Sequence, residues 1–167
     1  MVIERATLSD VEDIWKIILY AKESRRLQGS EQWQNGYPFR RTIIQDIEKG
    51  WGYVVRIDGK VEAYVAVITE GEPAYEAIEG QWLKDGDYWT VHRMAVSEAA
   101  KGKRLGQWML QAVGDKAVEN KVFSIRIDTN FDNLAMLKIL ENLEYTYCGE
   151  VQYNASPRKA FEKVLMV

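Results

Sequence analysis

Residues 101–106 of this chain, Lys-Gly-Lys-Arg-Leu-Gly, set three cations and two glycines between a run that alternates like a strand and a run that repeats like a helix. The chemistry open to such a segment is anion binding. The first N–H groups of a helix have no intrahelical partner, and the helix dipole places about half a positive charge at that end. Phosphate is the natural occupant. Gly102 and Gly106 lack a Cβ, so the chain can turn tightly there and a bulky ligand can approach the backbone. Two other phosphate loops are excluded by spacing: there is no Gly-x-x-x-x-Gly-Lys-Ser/Thr, and no Gly-x-Gly-x-x-Gly after the first strand. A basic helix cap that binds nothing is the competing reading.

The elements that must position this turn follow from periodicity. Residues 2–6 read as a strand. Ser9 and Glu12 have capping-box spacing ahead of a helix over 10–27, with Ile14, Ile17, Ile18 and Ala21 inward. Residues 28–37 are polar, aperiodic and loop-like. Pro38 and Gly50 bracket a second helix with Ile43, Ile44 and Ile47 on one side. Strands at 51–57 and 60–69 flank Asp58-Gly59, a strong hairpin signal. An irregular connection with a short helical turn covers 70–86. A strand at 87–96, a helix at 105–120 and a strand at 122–128 form a βαβ unit with parallel strands and a right-handed crossover; Val122, Ser124 and Arg126 are expected on its outer face. A helix over 133–143 turns Leu134, Leu137, Ile139 and Leu140 inward. Strands at 146–153 and 158–165 close the chain around Ser156-Pro157. This order gives an α/β protein with one mixed sheet, helices on its faces, and a single domain over 1–167.

Composition narrows the function. A 47% apolar, 28% charged chain of 167 residues suits one globular core. Neither an apolar run of membrane-spanning length nor a signal-peptide core is present, so a cytoplasmic protein with no membrane partner is expected. Cys148 is the only cysteine and His92 the only histidine. An internal disulfide and the usual zinc site are therefore ruled out, no metal is expected, and Cys148 reads as a buried structural thiol. The net charge of −3 argues against a nucleic-acid partner and suits a cationic substrate.

Three segments together resemble a family. His92-Arg93-Met94-Ala95-Val96, the turn at 101–106, and residues 133–145 (NLAMLKILENLEY) are similar to the GNAT superfamily of acetyl-CoA-dependent N-acetyltransferases. Its phosphate motif is Arg/Gln-x-x-Gly-x-Gly/Ala; Lys101 takes the basic first position and Gly106 the last, while Arg104 stands at the middle glycine. The resemblance implies a mixed, largely antiparallel sheet of about seven strands with about four helices. It also implies acetyl-CoA as co-substrate, and direct transfer of acetyl to a primary amine, small-molecule or peptide, through a tetrahedral intermediate. Met94, Ala95 and Val96 would meet the pantetheine arm. Lys101, Gly102, Lys103, Arg104, Leu105, Gly106 and Gln107 would hold the pyrophosphate, and Asn133 would hydrogen-bond the cofactor.

Such a reaction needs a base, an oxyanion donor and an acid. Leu140 occupies the position of the family's tyrosine acid and Thr90 lies near that of its glutamate base; Glu144 and Tyr145 replace the family's Gly-Phe. By the period of two, positions 90, 92 and 94 share one strand face, so His92 projects like the missing base. An imidazole with an ordinary pKa near 6.5 suits proton transfer at neutral pH. A satisfied core histidine is the competing reading. Glu79 is a second candidate base acting through water, or a solvated loop carboxylate. Tyr145, Tyr147 and Tyr153 are candidate acids, with Tyr147 preferred; each also fits an ordinary sheet tyrosine. Trp33, Gln34 and Tyr37 would face the acceptor from the 28–37 loop. The missing acid and base leave a non-catalytic acyl-CoA-binding or regulatory domain as the alternative, and a protein-interaction module as a third class. Sheet edges left by the closing strands are compatible with a homodimer.

Overall fold

The computed structural model describes residues 1–166. The chain forms two compact units, one of Met1–Val67 with His92–Leu110, the other of Ile68–Val91 with the chain from Gln111 onward.

In the first unit, β1 (Val2–Arg5) pairs antiparallel with β2 (Gly52–Ile57), and β2 with β3 (Lys60–Ile68). The β2–β3 turn is the expected Asp58-Gly59, with φ of 52° and 78°, the left-handed pair a two-residue hairpin requires. β3 is buried from its second residue onward, as a central strand is. Helix α1 spans Val11–Leu27 and α2 spans Arg40–Glu48. The capping box is not made by Ser9 and Glu12: it belongs to the 3-10 turn ahead of α1, with Thr7 and Asp10 as its pair. Asp10 accepts from the Thr7 amide at 2.9 Å on a 3-10 turn, Leu8–Asp10, and from Arg56 Nη2 at 2.8 Å. Ser9 and Glu12 have no such buried anchor.

Burial alone would raise the Asp10 carboxyl, but the Thr7 amide, Arg56 and the Thr7 hydroxyl outweigh it and hold the pKa below its ordinary value. A depressed folded pKa contributes stability that is present above the unfolded value and lost as pH falls through the folded one. Asp10→Asn is therefore expected to flatten the loss of stability below about pH 4, measured by urea unfolding across pH.

In the second unit the strand order is β5 (Trp89–Val96), β6 (Ser124–Thr129), β8 (Ser156–Val164), β7 (Thr146–Tyr153), β4 (Glu79–Gly80). β5 (Trp89–Val96) supplies its first three residues here and the rest to the first unit. It runs parallel to β6 (Ser124–Thr129) through Trp89↔Ile125 and Thr90↔Arg126, the pairing expected of a βαβ unit. β7 (Thr146–Tyr153) and β8 (Ser156–Val164) pair antiparallel. Among the described residues there is one mixed sheet of eight strands, accompanied by five α-helices. The additions to the expected count fall within 70–86, where α3 (Pro73–Glu76) and the two-residue β4 (Glu79–Gly80) form. β4 meets β7 where Gly80 and Gly149 cross: a Cβ on Gly80 would lie 2.0 Å from the Cys148 carbonyl oxygen.

Three expectations are corrected in this unit. Ser124 and Arg126 are buried rather than outward, because Glu162, itself fully buried, accepts from Ser124 Oγ at 2.5 Å, Arg126 Nε at 3.3 Å and the Leu83 amide at 2.7 Å. Leu134 is 73% exposed: it opens α5 (Leu134–Asn142), whose buried positions are Met136 and Leu140, one turn apart. The closing turn is Asn154-Ala155, with φ of 50° and 64°, and Ser156-Pro157 belongs to β8. Pro157 is tolerated there because β6 pairs with β8 only from Lys159 onward, so no second neighbour needs its missing N–H. Cys148 is buried as expected, and burial pushes its thiol pKa up. Among the described residues no helix is long and apolar enough to cross a membrane.

Candidate functional site

The basic turn begins where β5 ends. Ser97 donates its hydroxyl to Glu62 Oε2 at 2.6 Å and its amide to the Glu62 carbonyl at 2.8 Å, pinning the start of the turn to β3. Glu62 is buried, so the anchor is shielded from water. Helix α4 (Leu105–Glu119) follows. The amide of Trp108 donates to the Arg104 carbonyl at 3.1 Å, so the amides of Leu105 and Gly106 precede the first intrahelical bond. Lys101, Gly102, Lys103 and Arg104 are exposed, Leu105 and Gly106 buried, and Gln107 half-buried. Nothing lies within 4 Å of a Cβ built on Gly102. Leading helix amides, exposed cations and an open glycine suit a pyrophosphate.

Arg104 has a left-handed backbone, with φ of 57° beside 79° at Gly102. Left-handed backbone costs an L-residue roughly 1–2 kcal/mol. Arg104→Gly relieves this against about 0.4–1 kcal/mol of added unfolded-state entropy. The variant is expected to gain up to about 1.6 kcal/mol in urea unfolding.

Within β5, Arg93 has φ of 54°. That residue interrupts the extended strand, so the period of two cannot be carried from His92 to Met94, and the expectation that 90, 92 and 94 share a face fails. Thr90 and Met94 are buried, and His92 is half-buried. The strain at Arg93 is held by its side chain. Arg93 Nε and Nη2 donate to the two Asp46 oxygens at 2.9 and 2.6 Å, and Nη1 donates to the Tyr37 hydroxyl oxygen at 2.6 Å. The Tyr64 hydroxyl donates to Asp46 at 2.7 Å. Burial lowers the Arg93 guanidinium, yet Asp46 and Tyr37 outweigh it and leave the pKa raised. One buried carboxylate on α2 thus fixes both the left-handed residue of β5 and a residue of the 28–37 loop.

A second tie joins the same loop to β5. Arg25, in the last turn of α1, has its guanidinium 3.7 Å from the centre of the Trp33 ring and donates to the Met94 carbonyl at 3.4 Å. Trp33 itself is left-handed, with φ of 65°. Trp33 and Tyr37 are thereby linked to the strand that carries His92 and Met94. Gln34 is occupied differently, donating to the Lys22 and Gln32 carbonyls at 2.9 and 3.1 Å.

The remaining residues lie in the second unit. Glu79 is exposed on β4, opposite Glu150. Tyr147 is 53% exposed, edge-on to Phe161. Burial raises the Tyr145 and Tyr153 phenols, and Tyr153 donates to Asp128 at 3.2 Å. Asn133 caps α5 by accepting the Met136 amide at 3.2 Å. Thr90 and Leu140 are fully buried.

Arg25, Asp46 and Glu62 were not among the residues singled out from the sequence. Each looks like an ordinary helix or strand charge there, and only long-range packing gives it a role.

The sequence matches the acetyltransferase (GNAT) family over residues 14–145. Among solved structures, a GNAT-family acetyltransferase from Streptococcus agalactiae is 37% identical, with a TM-score of 0.92 over 99% of this chain and 96% of that one. A GNAT-family acetyltransferase from Listeria monocytogenes is 19% identical, with a TM-score of 0.79 over 98% and 94%. A ribosomal-protein-alanine N-acetyltransferase from Brucella melitensis is 18% identical, with a TM-score of 0.68 over 99% and 100%. The last two likenesses are of fold alone. Comparison with the curated proteins yields no match.

Proposed function

The chain belongs to the GNAT family of acetyltransferases, and from that premise we propose that it transfers the acetyl group of acetyl-CoA directly to a primary amine of a small molecule or peptide. The observation that carries this reading is the turn ahead of α4, whose leading amides and exposed cations offer the donors a pyrophosphate needs. Lys101 to Gln107 hold the pyrophosphate, and Met94, Ala95 and Val96 the pantetheine arm. The cofactor, when bound, supplies an activated thioester carbonyl. The backbone of Met94, just beyond the left-handed Arg93, is the donor to its oxygen. His92 takes a proton from the attacking amine, because only a neutral nitrogen has the lone pair to react. Glu79 as second base through water, Tyr147 as acid and Asn133 as cofactor ligand complete the reading, with the whole chain as one catalytic domain in the cytoplasm.

Calorimetric titration with acetyl-CoA and with CoA tests the cofactor assignment, and micromolar binding is expected. His92→Gln tests the base: the fall of kcat/KM on acidification is expected to disappear, and an unchanged pH profile removes His92 from that role. The buried Thr90 and Leu140, neither able to move a proton in place of a carboxylate or phenol, favour one second reading, a non-catalytic acyl-CoA-binding domain. Such a domain would bind acetyl-CoA and release no thiol.

A further inference from the structure

Arg25 is a half-buried guanidinium of the first unit, and among the described residues no carboxylate pairs with it. Arg93, the other guanidinium beside β5, has a carboxylate on two nitrogens. Arg56 has Glu4 and Asp10, Arg26 has Glu23, and Arg40 has Glu12. Arg25 has a ring face and one long bond to a carbonyl, with no carboxylate among the described residues. A guanidinium offers five N–H donors, and most of these are unused. The energetic sign agrees with the geometry: desolvation, with nothing to offset it, pushes the Arg25 pKa down to about 10. One turn back on the same helix, Lys22 is also lowered by burial and donates to the Gly36 carbonyl at 2.7 Å. Two desolvated cations therefore lie against the 28–37 loop.

The place of Arg25 says what the missing anion belongs to. Its guanidinium touches the Met94 carbonyl, on the strand segment proposed to meet the reacting end of the cofactor, and Trp33, on the proposed acceptor loop. The phosphates have their own donors in the turn at 101–106. A helix C-terminus favours a cation, but Arg26 and the solvent already serve that end without burial. Planar, bidentate recognition of a carboxylate is what a fixed guanidinium does best.

We propose that Arg25 is a specificity-determining residue that binds a carboxylate carried by the amine acceptor, so that the substrates are amino acids or similar amino-carboxylates rather than polyamines. This deepens the acetyltransferase reading and rests on it.

The test compares amino acids with their decarboxylated amines, such as phenylalanine with phenethylamine and alanine with ethylamine, in thiol release from acetyl-CoA. The carboxylate-bearing member of each pair is expected to have the higher kcat/KM. Arg25→Gln is expected to raise its KM on the order of 10- to 100-fold, as loss of a charge-assisted hydrogen bond does, with little change in kcat, and Arg25→Lys to recover part of it. Acetyl-CoA affinity by calorimetry should be the same in all three proteins, which excludes both misfolding and a role for Arg25 in holding the cofactor. Equal rates within pairs, a preference for the decarboxylated amine, or an Arg25→Gln KM equal to the wild type overturns the proposal. Direct titration with N-acetylphenylalanine and with N-acetylphenethylamine separates the two readings. If no amine is acetylated but N-acetylphenylalanine binds tighter in an Arg25-dependent way, the carboxylate site stands and the acetyltransferase reading falls. If neither compound binds and no amine is acetylated, both fall.

Discussion

Gly106→Trp is expected to remove measurable acetyl-CoA binding while leaving the fold intact. Gly106 is buried at the second position of α4, directly behind the amides proposed to cradle the pyrophosphate. An indole there has nowhere to go except across the mouth of the turn or into the helix packing. Losing two charge-assisted hydrogen bonds weakens affinity by about 100-fold or more, which takes a micromolar ligand out of calorimetric range. Should the bulky variant unfold, Lys101→Glu asks the same question at an exposed position, where folding is not at stake. Its affinity is expected to fall about tenfold, with a weaker dependence on salt. Wild-type affinity in a folded Gly106→Trp protein contradicts the site.

Asp46→Ala is the second large effect, and it acts on stability first. The substitution leaves Arg93, whose side chain is 11% exposed, without its counter-charge, and leaves the fully buried Tyr64 hydroxyl without an acceptor. Breaking a buried pair from one side costs about 3–5 kcal/mol. For a chain of this size that lowers Tm by roughly 10 °C. The double variant Asp46→Leu with Arg93→Met is expected to be more stable than Asp46→Ala, because no buried charge is then uncompensated. A functional loss should accompany the single change. Arg93 loses what holds it in the left-handed region, and Tyr37 loses a fixed donor, so kcat/KM is expected to fall even at temperatures where the variant is folded. An Asp46→Ala protein within about 0.5 kcal/mol of wild type would mean that the network is a surface ornament.

What could be read in advance was local. Asp58-Gly59 names its own turn because few residue pairs accept two left-handed conformations. The 105–120 helix, the βαβ pairing and the basic turn likewise follow from signals within a few residues of one another. What escaped depended on distance. Asp46 and Arg93 stand 47 residues apart, and nothing local tells an α2 carboxylate that its partner sits in a strand. The left-handed Arg93 was invisible for the same reason: arginine has no preference for positive φ, and only the fixed guanidinium makes that conformation tolerable. Ser124 and Arg126 read as an outer face because their alternation is correct; what reverses the reading is Glu162, fully buried on β8. The two-residue β4 is below the length at which periodicity exists, and it forms because Gly80 and Gly149 let two backbones approach closely.

The most direct test of the central claim is thiol release from acetyl-CoA by the purified chain, across a panel that includes amino acids, peptides and alkylamines, with mass spectrometry of the products. The account expects amine-dependent release of CoA matched one for one by N-acetylated product, lost in Gly106→Trp and altered in pH profile by His92→Gln. Tight binding of acetyl-CoA with no release for any amine would contradict it, and would assign the chain to the non-catalytic acyl-CoA binders.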